Sequence, residues 1–176
     1  TVMIEGFYIG GGLMTGVISP SVCDTILVGL ADPLSPFLIL YSVKGTINTS
    51  GYGTFEFPVA AFGNSYYIVI KHRNTLETWS DVPVSLSLAV NSYDFTNSAS
   101  TAYGNNLVNL GGQYALRSGD VNQDGVINLN DLDDLELNTQ LFSSGYIPQD
   151  LTGDDIVESS DYALIENNLS RIMMRP

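Results

Sequence analysis

The chain has 176 residues, is 44% hydrophobic and only 14% charged, and carries a net charge of −13. That is enough apolar material for a packed core. Six Lys and Arg in total exclude a phosphate-tracking surface, so nucleic acid is not a partner, and without a run of about 18 apolar residues nothing is expected to span a membrane.

The N-terminal part reads as short strands separated by Gly, Asn, Pro and Ser. "TILVGL" (25–30), "FLILYSV" (37–43), "GTFEFPV" (53–59), "YYIVIKH" (66–72) and "VSLSLAV" (84–90) each have strand length. Phe55 and Phe57 alternate with Thr54 and Glu56, and Leu86 and Leu88 with Ser85 and Ser87, a pattern with one face in a core and one in water. An antiparallel β-sandwich over residues 1–115 is expected. The single Cys23 cannot form an internal disulfide and reads as a small buried thiol. His72, the only histidine, lies in phase with Ile68 and Ile70 and has no G-x-S-x-G or H-E-x-x-H partner motif, so a structural place at a strand end is expected. Lys71, His72 and Arg73 form the one basic cluster, expected to be a solvated strand end. Trp79 and the ten tyrosines offer faces for sugar rings, which leaves carbohydrate open as a partner, although aromatic residues in strands more often fill cores.

Charge changes after Ala115: residues 116–176 hold twelve acids against three bases, residues 1–115 seven against three. A boundary there separates a second, α-containing module, 116–176. Its hydrophobic period becomes helical, with Leu132, Leu135 and Leu141 on one expected face and Tyr162, Ile165, Leu169 and Ile172 on another.

A shift of thirty residues overlays this module on itself. Asp120 meets Asp150, Asp124 meets Asp154, Val126 meets Ile156, Asp131 meets Asp161 and Leu135 meets Ile165. Each unit is a twelve-residue loop followed by a helix. A hard cation takes six to eight oxygens. In "DVNQDGVINLND", Asp120, Asn122 and Asp124 offer side-chain oxygens at positions 1, 3 and 5, the Val126 carbonyl serves position 7, Asn128 position 9 and Asp131 position 12, while Gly125 permits the turn at position 6. The acids at 131, 133, 134 and 136 are read as one ligand plus a solvated helix face, not as a general acid and base.

An EF-hand also needs a helix entering the loop. "NLGGQYALRSG" and "LFSSGYIPQ" are too rich in Gly and Pro for one, which also disfavours a calcium sensor. Loop plus exit helix, twice, with Asp at position 12, resembles the dockerin type I family over residues 117–172, and "GDVNQDGVINLNDLDDL" carries the likeness. The resemblance implies two calcium ions, the second held by Asp150, Thr152, Asp154, Ile156, Glu158 and Asp161, a pseudo-twofold pair of packed helices, and in cellulolytic systems docking onto a cohesin. Family contacts with cohesin come from positions 10 and 11, here Leu129 with Asn130 and Ser159 with Ser160, which differ between repeats. In "DLTGDDIVESSD" Thr152 still offers a hydroxyl, Asp155 must take the Gly position, and Glu158 is long enough to reach an ion; the second site is expected to be the weaker.

A looser similarity covers the first part. "TILVGL", "GTI", "YYIVIKHRN", "YDFT" and "AYG" ahead of such a repeat are similar to a β-sandwich module of large proteins exported by the bacterial type IX secretion system. It implies no known chemistry. The combined expectation is a non-catalytic, calcium-binding segment of a secreted or cell-surface bacterial protein, a piece of something longer, its partners being neighbouring domains or a cohesin-like protein. The alternative is a cellulosome-type dockerin that plugs a catalytic or carbohydrate-binding module into a scaffold.

Overall fold

A computed structural model describes all 176 residues. The fold is mainly antiparallel β with two helices. Two short strands, β1 (Tyr8–Gly10) and β2 (Leu13–Met14), form a hairpin. The main sheet contains β3 (Val22–Ala31), β4 (Ile39–Asn48), β5 (Ser65–Lys71), β6 (Thr78–Trp79) and β7 (Val84–Ser85), in the order β4-β3-β5-β6 with β7 beside the start of β5. A second hairpin, β8 (Leu107–Asn109) and β9 (Tyr114–Leu116), follows. The helices are α1 (Leu129–Gln140) and α2 (Ser159–Asn168).

Burial explains the strand choices. The sequence VCDTILVGLA lies between β4 and β5 and is hydrogen-bonded on both edges, which suits its nearly unbroken β-branched and apolar run. β4 is a sheet edge and alternates instead: Ser42, Lys44 and Thr46 face water while Tyr41, Val43 and Ile47 turn inward. One core gathers Ile26, Val28, Ile47 and Ile70 from the sheet with Val2, Met3, Ile4, Phe7, Phe95, Leu107 and Leu116.

One expected strand is absent and another is cut short. Residues 53–59 leave the edge of β4 because Gly53 lets the chain fold back over Thr46 and Ile47, and the Phe55 ring then settles on Gly45. Of residues 84–90 only Val84–Ser85 pair in the sheet. Asn91 bonds the Ser87 amide through Oδ1 at 3.0 Å and returns its own amide to the Ser87 and Ala89 carbonyls at 2.8 Å, a local closure that competes with a ladder and leaves Leu88 and Val90 exposed. The layer facing the sheet is therefore irregular. It leaves an apolar cleft of about 740 Å³ between Ile26, Val28 and Ile68 on one side and Phe55, Tyr93 and Phe95 on the other.

The helical part has its own core of Val121, Ile127, Leu135, Leu151, Val157 and Ile165. Leu76, from the turn between β5 and β6, is fully buried in that same core. The expected boundary at residue 115 falls inside β9, and main-chain bonds tie the parts together, with Leu76 N–H donating to Arg117 C=O at 3.0 Å and Gly119 N–H to Asn74 C=O at 2.8 Å. Gly6 lies so close to the Leu151 carbonyl that an added Cβ would stand 2.0 Å from its oxygen.

The helix faces differ from expectation at their ends. Leu132 and Leu135 pack inward, but Leu141 is the exposed C-cap of α1. Tyr162 and Ile165 pack inward together with Leu164, which sequence periodicity passed over, whereas Leu169 and Ile172 lie beyond the end of α2 and are largely exposed. No helix is long and apolar enough to cross a membrane.

Candidate metal centre

The two twelve-residue loops, 120–131 and 150–161, take the same path. Left-handed backbone occurs at positions 4 and 6 of both, at Gln123 (φ 59°) and Gly125 (φ 86°) in the first and at Gly153 (φ 76°) and Asp155 (φ 69°) in the second. No helix runs directly into either loop, and an exit helix follows each. Position 7 of each loop pairs with the segment after the other loop's helix, Val126 with Ile172 and Ile156 with Ser144. This exchange makes the arrangement pseudo-twofold.

Local chemistry explains the shared path. The carboxylate at position 1 accepts the amide of position 6: Gly125 N–H to Asp120 Oδ2 and Asp155 N–H to Asp150 Oδ2, both 3.2 Å. The carboxylate at position 12 closes the loop from the other end. Asp131 accepts the amides of Val121 at 2.9 Å, Asn122 at 3.3 Å and Asn128 at 2.9 Å; Asp161 accepts those of Leu151 at 2.8 Å, Thr152 at 2.9 Å and Glu158 at 2.9 Å. Both acids stand in the first turn of a helix, where an anion is favoured by the peptide dipoles. Asn128 also caps α1, its side chain accepting from Asn130 N–H at 2.7 Å.

The remaining expected ligands occupy the rim. Asn122 and Asp124 each accept the amide two residues on, at 2.9 Å, Asp154 does the same for Ile156 at 3.0 Å, and Asn128 Nδ2 donates to the Val126 carbonyl at 3.2 Å. The Thr152 hydroxyl donates to Asp161 at 3.2 Å. Glu158 is exposed and accepts from the Ser160 hydroxyl at 3.1 Å. Position-1 and position-12 acids thus form a buried floor beneath an exposed rim, and no three His, Cys, Asp or Glu side chains converge on one point as a closed cage.

The residues fit a hard cation on two counts. All twelve offer oxygen, the donor such an ion prefers. Asp120, Asp131, Asp150 and Asp161 are buried, and none forms a salt bridge with a Lys, Arg or His. Asp120 Oδ1 is buried without any hydrogen-bond partner. Burial first, then the nearby Asp131 carboxylate, raise Asp120 to about 6, and burial raises the other three as well.

Comparison with protein-family models, with curated proteins and with solved structures finds no match.

A cluster that sequence reading missed lies where the two parts meet. The expected solvated strand end is in fact buried at His72 and partly buried at Arg73, because both serve Asp24, itself fully buried on β3. His72 Nε2 donates to Asp24 Oδ2 at 3.0 Å, Arg73 Nε donates to the same oxygen at 3.1 Å, and the Tyr146 hydroxyl donates to Oδ1. Burial pushes Asp24 up, but the hydrogen bond from His72 and the positive charge His72 takes on in acid, then the hydrogen bonds from Tyr146 and the Thr25 amide, outweigh it and hold the acid at about 2. Burial lowers His72, which is therefore a neutral donor near pH 7, where Arg73 is the counter-charge. The one legible signal was the lone His beside an Arg at the end of an apolar strand.

Two smaller readings resolve here. Cys23 is buried and its thiol is pushed up to about 12, chiefly by burial, which leaves it inert. Trp79 is 2% exposed, its Nε1 donating to Glu77 at 2.6 Å, so it presents no face to a sugar.

Proposed function

We propose that this chain is a non-catalytic, calcium-stabilised segment of a secreted or cell-surface multidomain bacterial protein, each loop holding one calcium ion. The observation that carries the reading is the repeated loop geometry: left-handed backbone at positions 4 and 6, and buried acids at positions 1 and 12, thirty residues apart. Asp120, Asn122, Asp124, Asn128 and Asp131 with the Val126 carbonyl would hold the first ion. Asp150, Thr152, Asp154, Glu158 and Asp161 with the Ile156 carbonyl would hold the second. Bound calcium supplies the positive charge that four buried carboxylates otherwise lack. Its role is structural, since the fold has no entering helix to swing and the buried Asp24 cluster is closed to substrate.

A site occupied at one hundred times its dissociation constant adds about 2.7 kcal/mol by mass action. Calorimetric scans with calcium and with excess chelator test the reading. The expected outcome is a lower transition temperature on chelation and recovery on adding calcium; superimposable scans would reject it.

A second reading, docking onto a cohesin-like partner, is favoured by the exposed Leu129 at position 10, with Leu137, Leu141 and Phe142 also exposed on or just after α1. The equivalent Ser159 and Ser160 are polar, so at positions 10 and 11 only the first repeat offers an apolar contact. Loss of partner capture in Leu129→Asp with the fold intact supports docking, and unchanged capture removes it.

A further inference from the structure

We propose that Arg73 and Asn74, at the end of β5, are positioning residues for loop 150–161, so that the second cation site is assembled by the β part and not by its own repeat. This rests on the calcium reading above.

Both side chains hold the main chain where that loop begins. Asn74 Nδ2 donates to the Asp150 carbonyl at 3.1 Å, and Arg73 Nη1 donates to the same carbonyl at 3.2 Å and to the Ile147 carbonyl. Asp150 is position 1, and its carboxylate gathers the amides of Gly153 at 2.7 Å, Asp154 at 3.2 Å and Asp155 at 3.2 Å. Fixing its carbonyl fixes the direction in which that carboxylate leaves the chain.

Arg73 is held in turn. Asp24 anchors Nε, the Tyr146 ring lies 4.5 Å from the guanidinium carbon and the Phe7 ring 5.5 Å. Nearby, Gly153 passes so close to the β part that an added Cβ would stand 2.5 Å from Val17 and 3.0 Å from Phe7. Loop 120–131 is held differently. Its Asp120 carbonyl accepts from Gln123 of the same loop, and no β-part side chain bonds its main chain: the β part meets it through the Thr75 carbonyl, which accepts from Gln123 Nε2 at 3.3 Å, the Asn74 carbonyl on Gly119 just before it, and the packing of Leu76.

Arg73 also brings positive charge towards a cation site, an effect opposite to positioning. Asp24 neutralises it at 3.1 Å, so positioning outweighs repulsion. The two effects separate by mutation. Arg73→Lys keeps the charge beside Asp24 but cannot reproduce the fork that serves Asp24 and two carbonyls. Asn74→Ala changes no charge and leaves the Asn74 main-chain bond to Gly119 in place.

The test uses the 176-residue chain, isotopically labelled, titrated with calcium chloride while the Gly125 and Gly153 amide signals report the two loops. Positioning predicts that each variant weakens binding read at Gly153 by about tenfold, near the contribution of one hydrogen bond to a carbonyl, with Gly125 changed less than twofold. It also predicts faster exchange of the Leu151 and Thr152 amides in chelator, with Val121 and Asn122 unaffected. Two ions bound by wild type and both variants, with Gly153 affinity and exchange unchanged, overturns the positioning role alone. A wild-type chain that takes up no calcium overturns the calcium reading and this proposal together. Weakening in Arg73→Lys with none in Asn74→Ala limits the role to Arg73 and overturns it for Asn74.

Discussion

Leu76→Ala tests how the two parts cohere. Leu76 follows β5 in the chain, yet it is fully buried among Val121, Ile127, Leu135, Leu151, Val157 and Ile165. Truncation of a buried Leu costs about 2–5 kcal/mol, and more where the surroundings cannot collapse. Here the wall is built from both loops and both helices, pinned by the position-12 carboxylates, so about 4 kcal/mol is expected. For a chain of this size each kcal/mol shifts the midpoint by about 2–4 °C, giving a fall of about 8–16 °C. Helix ellipticity reports α1 and α2, residues 129–140 and 159–168, and Trp79 fluorescence reports the sheet, in which Trp79 is paired to Val69. Both probes should shift together. A loss under about 1 kcal/mol, or a helix signal that moves while Trp79 does not, would refute the interlocked core.

Two further outcomes follow from single residues. Asp155 holds φ 69° at position 6, where the first loop has Gly125, so Asp155→Gly should stabilise the chain by up to about 1 kcal/mol and tighten calcium at the second loop, measured by urea denaturation and titration. Asp24 is held at about 2, below its ordinary value of 3.8, so it contributes stability that is complete above about pH 4 and is lost as pH falls towards 2. That loss is about 2 kcal/mol and should be missing from Asp24→Asn, whose stability should start lower and vary less over that acid range.

Much of the helical part could be read from residues alone. The spacing of oxygen-bearing residues and the thirty-residue register located both loops, and Gly and Pro upstream ruled out entering helices, because these features depend on neighbours within a dozen positions. Strands 25–30 and 66–72 were also clear, since their apolar runs are long enough for a sheet interior. The strands expected at 53–59 and 84–90 show the same alternation, but a ladder needs a partner edge, and the folding back at Gly53 and the Asn91 side chain remove it.

The join between the parts has no local signature. Arg73 in a basic triplet reads as solvated until Asp24, forty-nine positions earlier, and the Ile147 and Asp150 carbonyls, more than seventy positions later, are brought against it. Leu76 looks like one apolar residue in a turn until the chain's second part closes around it. Short-range pattern fixes which segments take the repeated loop path and which can become helix, because spacing and backbone preference are local. Which charge is buried, and which core a side chain enters, depends on surfaces from distant parts of the chain meeting, and those contacts exist only once it has folded.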